Sequence, residues 1–230
     1  MRLTGLAVCL AFTAFTAALV MVRGEYGRLP MTGVTVLLVL SPLLAERLLR
    51  CRLALPLFWF ALCYAMGPLL GYCYHFYYRI SWWDKLLHVF GGVAFALLGL
   101  FLFEKFADPD GKRRWIGAVF ALCFSMAVAV GWEFFEYGAD CWFGMDMQND
   151  IVVSRLTSYL LGSADGKAAT IDPVTAVTVN GTPLPVSGYI DIGLNDTMGD
   201  MLLETLGAMV TVGLLVWDRG RHRLFRKVEE

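Results

Sequence analysis

The sequence predicts an all-α integral membrane protein, a six-helix transmembrane bundle with both termini in the cytoplasm and one long extracytoplasmic loop. Three observations carry that prediction. Of the 230 residues, 58% are hydrophobic and 17% charged, against about 45–50% and about 25% in soluble domains. Apolar stretches close to the ~20 residues a helix needs to cross the hydrocarbon recur six times. Basic residues alternate between abundant and sparse from one connection to the next, as the positive-inside rule requires for an even number of spans. The formal net charge of -1 offers nothing to a nucleic-acid backbone. No nucleic-acid partner is expected, and membrane lipids are.

The spans are predicted at residues 3–22, 29–45, 53–72, 84–103, 115–137 and 196–217, with the loop at 138–195. The first follows Arg2. It exceeds the ~7–15 apolar residues of a signal peptide and ends in Val-Met-Val-Arg, without a small-residue cleavage site, so it reads as a retained span. The second is the shortest and contains Ser41-Pro42; the third contains Gly67-Pro68. Both are expected to bend there. In the fourth, Gly92 and Ala96 are spaced small-xxx-small with Gly91 and Gly99 beside them, and Gly207 follows in the sixth. Such residues let backbones approach in lipid. Within the loop, residues 150–161 are expected to form a short helix. Residues 176–179, Asn180-Gly181 and 182–186 read as a small β-hairpin with a tight turn, its second strand weakened by Pro183 and Pro185. Asn180-Gly-Thr is also a glycosylation sequon.

With the N-terminus inside, the cytoplasmic side holds Arg2, then Arg47, Arg50 and Arg52, then Lys105, Lys112, Arg113 and Arg114, then Arg219, Arg221, Arg223, Arg226 and Lys227. That is thirteen of the nineteen Lys and Arg residues. The aromatic run from Tyr72 to Trp83, with Trp132, Tyr137 and Trp142, reads as an interfacial belt at the outer boundary. The six cysteines include no Cys-x-x-Cys pair, which excludes zinc-ribbon and thioredoxin readings; Cys73 and Cys141 are the candidate disulfide pair near the outer surface.

Chemistry is suggested by where the acids fall. Asp84 and His88 open the fourth span at i, i+4. Glu133, Glu136 and Asp140 close the fifth at i, i+3, i+7. Asp196, Asp200 and Glu204 open the sixth at i, i+4, i+8. Each set lies on one helix face, at the end assigned to the outer side. An ionised group at mid-span costs about 2.5–3.5 kcal/mol on an insertion scale, so such residues point to function. Structural readings compete for some of them. Ser81-x-x-Asp84 fits a capping box. Asp196 falls in a first turn, where the dipole favours an anion, with Asn195 as its cap. His88 alone would serve as a buried hydrogen-bonding residue. Glu133 and Glu136 resist such accounts, because a helix C-terminus disfavours negative charge. They call for a proton, a basic partner or a metal. Lys85 and Arg155 are the leading charge partners, with Arg79 and His75 nearby in sequence.

Carboxylates with one imidazole suit Mg, Mn or Ca, and Zn less well. A divalent ion at the outer headgroups would be placed to hold or polarise a lipid phosphate. Two other readings stand beside this one. A proton- or cation-coupled transporter would use the same carboxylates, although the inner halves of the last three spans are nearly uniformly apolar. A scaffold would use them as a salt-bridged plug between helices. No P-loop, His-Glu-x-x-His, dinucleotide fingerprint or nucleophile motif is present, so no enzymatic activity is assigned.

Trp82-Trp83-Asp84-Lys85-Leu86-Leu87-His88 with Gly91-Gly92, Trp132-Glu133-Phe134-Phe135-Glu136, and Asp196-Thr197-x-x-Asp200-Met201 with Gly207 resemble the YjdF-type family of bacterial inner-membrane proteins of unknown function. The order of elements is also similar to VanZ-like proteins, which carry Asp-Lys-x-x-His, a later Glu and Asp-x-x-x-Asn-x-x-Gly. The resemblance covers the last three spans and the loop. Glu204 departs from it, standing where those families carry Asn. It implies a multi-pass protein of the bacterial cytoplasmic membrane with a cell-envelope role; it does not imply a reaction.

Overall fold

Each apolar stretch folds as a helix, because in lipid a helix satisfies every backbone group within its own segment. In the computed structural model, residues 1–110, 112–162, 166–217 and 225–227 are described, the last group as backbone only. The helices are α1 (Arg2–Val22), α2 (Leu29–Leu48), α3 (Leu55–Cys73), the one-turn α4 (Phe76–Arg79), α5 (Trp83–Phe106), α6 (Arg114–Phe143) and α7 (Leu194–Trp217). Among the described residues, six of them are long and apolar enough to cross a membrane. The basic residues Arg219, Arg221 and Arg223 lie outside the described residues.

The chain divides into two units, residues 1–132 with 201–230, and residues 133–200. In the first unit α1, α2 and α3 share a core of Leu6, Val20, Val39, Phe58, Leu62, Met66 and Leu69. Gly5 of α1 faces the Trp59 ring, which a Cβ would strike. Large apolar side chains such as Val8, Phe15, Leu37 and Phe120 point outward. In water they would be a liability; against acyl chains they are the expected surface. Pro42 and Pro68 lie inside α2 and α3, which are assigned as unbroken helices. Pro42 cannot donate to the Leu38 carbonyl four residues back, and the Ser41 hydroxyl donates to that carbonyl instead at 2.8 Å.

The two ends of the first unit differ in chemistry. At one, Arg2 pairs with Glu46, Leu53 N–H donates to Glu46 Oε1 at 2.8 Å, and Lys105 reaches the Leu49 carbonyl. Asp108 accepts from the Lys112 and Arg113 N–H groups at 3.1 and 2.6 Å. There β1 (Cys51–Leu53) pairs antiparallel with the last described strand, Phe225–Lys227. At the other, Arg28 pairs with Glu25 at 2.8 Å and bonds His75 Nε2 at 3.0 Å.

The second unit holds the end of α6, the connection and the start of α7. The connection contains β2 (Val152–Val153), β3 (Leu156–Ser158), β4 (Ala169–Ile171), β5 (Thr178–Val179), β6 (Thr182–Pro183) and β7 (Tyr189–Ile190). Its pairs are β2 with β7, β3 with β4 and β5 with β6, all antiparallel. The β5–β6 hairpin turns on Asn180 (φ 51) and Gly181 (φ 81), both positive as a type I′ turn requires. Residues 150–161 are not the expected helix. They form β2, β3 and a single 3-10 turn, Tyr159–Leu161. Branched Val152 and Val153 favour extended backbone, and β7 offers them a partner strand that a local reading could not see. All six cysteines are free thiols.

Candidate functional site

In the first unit α5 opens without a side-chain cap, on Trp82. Asp84 is therefore the second helical residue, and Ser81 does not form the expected capping box. The Asp84 carboxylate turns to its own helix instead: Lys85 Nζ lies 3.2 Å from Oδ2 and His88 Nε2 lies 3.6 Å from Oδ1. The other ring nitrogen of His88, Nδ1, lies 3.7 Å from Glu204 Oε2 on α7. His88 and Glu204 are 6% and 3% exposed. The second Glu204 oxygen, Oε1, is buried with no hydrogen-bond partner among the described residues.

Glycine brings α7 this close. A Cβ at Gly92 would land on the Glu204 carbonyl oxygen, and one at Gly207 on the Val89 carbonyl oxygen. The two glycines thus let the α5 and α7 backbones touch. A Cβ at Gly91 would stand 2.7 Å from the Tyr64 hydroxyl and 3.5 Å from Glu204 Oε2, so that glycine leaves room for both groups. Sequence reasoning missed Tyr64, a tyrosine in the middle of an apolar span with nothing local to single it out.

A buried imidazole with a carboxylate facing each nitrogen has two chemical uses. Protonated, it would bridge both acids electrostatically. Neutral, it offers a ligand atom beside a carboxylate oxygen. Two ligands held ~2.1 Å from one ion sit about 3.0–3.5 Å apart, close to the 3.6 Å between His88 Nε2 and Asp84 Oδ1. Both contacts are longer than a hydrogen bond.

In the second unit, Glu133 and Glu136 lie on the buried face of α6 at 4% and 3% exposure, while Phe134 and Tyr137 beside them point outward. On α7, Asp196 and Asp200 are buried and Met198 is exposed. Asp196 Oδ2 accepts from the Asn149 side-chain amide at 3.2 Å. Asp140 accepts from the Met147 and Gln148 N–H groups at 2.7 and 3.0 Å, so it anchors the chain where it leaves α6. Arg155 lies 3.8 Å from Asp172, on the exposed connection.

Asp191 was absent from the sequence-derived set. It accepts from the backbone N–H groups of Ile151 (2.9 Å), Gly193 (3.3 Å) and Asn195 (2.8 Å), and from the Asn195 side chain. Asn195 is consequently not the cap of α7; it lies inside the helix and donates to Asp191. Burial pushes the Asp191 carboxyl up, but those hydrogen bonds outweigh it and hold the group below the ordinary Asp range. An Asp just ahead of an apolar helical run is a capping signal, and it was legible.

Residues 4–221 match the model of a family described as predicted membrane protein, DUF2238. No curated protein and no solved structure matches the chain. With six helices of membrane-spanning length among the described residues and a match over nearly all of its length, the chain belongs to the DUF2238 family of predicted membrane proteins.

Proposed function

We propose that this protein is a multi-pass protein of the bacterial cytoplasmic membrane that binds a divalent cation between Asp84 and His88 Nε2, with Glu204 orienting the imidazole from Nδ1, at the outer leaflet and in a cell-envelope role. One observation carries the reading: the buried His88 Nε2 lies 3.6 Å from Asp84 Oδ1, the spacing of two ligands on one ion, while Glu204 faces the other ring nitrogen at 3.7 Å with a buried oxygen that has no hydrogen-bond partner among the described residues. Leaving such an oxygen unsatisfied costs about 1–3 kcal/mol, more when charged. A water carried by the bound cation would supply the missing partner. The charge alternation across the connections supports the outward orientation, and the YjdF-type and VanZ-like resemblance supports the envelope setting.

The test is metal content and Mn2+ titration of the purified chain in detergent. About one ion per chain is expected, with affinity at least tenfold lower in Asp84→Asn and His88→Ala. A folded protein that binds no Mn2+, Mg2+, Ca2+ or Zn2+ would overturn the proposal. The scaffold reading is favoured by one contact, the Lys85–Asp84 pair at 3.2 Å, which already neutralises one acid. Under it, Glu204→Gln would shift thermal stability and leave ion binding at background.

A further inference from the structure

Inside the first unit lies a cavity of about 610 Å³. That is within the ~300–1,000 Å³ of small-molecule sites and far above the ~10–15 Å³ of probe-occupied volume that lodges one water. Along α5 its lining runs from Asp84 to Leu98, about 21 Å at 1.5 Å per residue. One leaflet of the hydrocarbon core is ~15 Å deep, so the cavity has the length of a full acyl chain.

Its two ends are unlike. Asp84, His88 and Glu204 lie together at one, while Leu57, Ala61 and Leu98 are among the apolar walls of the remainder. Ser41 also lines it, but its hydroxyl is already committed to the Leu38 carbonyl. Apolar cavities stay dry and take apolar occupants. The walls belong to helices of membrane-spanning length, so hydrocarbon chains are the molecules that surround them. At the polar end, the buried Glu204 Oε1, with no hydrogen-bond partner among the described residues, points to a donor group of the same occupant or a water on its counter-ion.

We infer that the cavity holds one phospholipid, an acyl chain lying along its apolar length and the phosphate placed on the cation bound between Asp84 and His88. This rests on the cation reading above. Two carboxylates repel a bare phosphate, and a bridging cation reverses that sign. A lipid with an ammonium head would pair with the carboxylates directly and need no metal, and the chelator arm below separates the two.

The experiment uses the full chain, delipidated in detergent and incubated with phosphatidylglycerol plus Mn2+ or plus EDTA, with retained lipid counted by native mass spectrometry. One lipid per chain is expected, retained at least tenfold more with Mn2+. Ala61→Trp should fill the apolar length, abolishing lipid retention while Mn2+ still binds; Ala94→Leu on α5 is the milder second blocker. Metal bound with no more lipid than in Ala61→Trp would overturn the lipid site and leave the cation reading standing. Lipid retained equally in EDTA would overturn the cation-bridged headgroup. Inorganic phosphate with Mn2+ binding as tightly as phosphatidylglycerol would overturn the part assigned to the acyl chain.

Discussion

Replacing Asp191 should loosen the start of α7. The carboxylate collects three backbone N–H groups and one side-chain amide. Hydrogen bonds to a charged acceptor contribute about 1.5–3 kcal/mol each. Asp191 is 9% exposed, close enough to solvent that freed N–H groups recover water, so the low end applies. Three backbone bonds at that end give about 4.5 kcal/mol for Asp191→Ala. Asp191→Asn keeps one oxygen, enough for Ile151 and Gly193, and turns an amide toward Asn195, so about 2 kcal/mol is lost. At about 1.4 kcal/mol per tenfold, amide exchange at Ile151, Gly193 and Asn195 should quicken up to about 1,000-fold in the Ala variant and about 30-fold in the Asn variant. The pH dependence has a definite sign. The folded-state pKa lies below the ordinary value of 3.8, so the stabilisation is fully present above that value. It is lost as pH falls through the lower, folded pKa. The wild type should therefore lose local protection only below the ordinary Asp range, with no such step in Asp191→Asn. Equal, near-background exchange changes in the two variants would refute the reasoning.

Two further predictions concern packing and orientation. Gly92→Ala places a methyl against the Glu204 carbonyl and should lower stability by about 1–3 kcal/mol. Gly33→Ala in α2, where nothing lies within 4 Å of the added Cβ, should raise it by about 0.5–1 kcal/mol. Apparent melting temperatures in one detergent should move in opposite directions, and a shared fall would refute the assignment of Gly92 to a helix contact. For orientation, a fluorescent protein fused to the C-terminus should fluoresce in the cytoplasm, and alkaline phosphatase fused after Asn180 should be active outside. The reverse pattern would overturn the inside placement of both termini.

The acids on α5, α6 and α7 were legible as helix faces because their spacing is a local property of 3.6 residues per turn. The burial of Glu133 and Glu136 beside exposed Phe134 and Tyr137 follows that spacing. Residues 150–161 misled for the opposite reason: Val152 and Val153 take their conformation from a strand some forty residues later. Tyr64 was invisible because nothing local marks it; only the fold brings its hydroxyl against Gly91, where a Cβ would strike it.

By itself the sequence determined the six helices, the Asn180-Gly181 turn and the sets of ionisable residues, all properties of short windows. A helix in lipid closes its hydrogen bonds within its own segment, so composition and length suffice to specify it. Only the tertiary structure decided that Glu204 stands against His88, that Asp191 rather than Asn195 holds the start of α7, and that a long cavity runs beside α5. Those depend on which helix faces meet and where the chain folds back. Both are set by pairwise contacts between residues far apart in sequence, such as Gly92 against the Glu204 backbone.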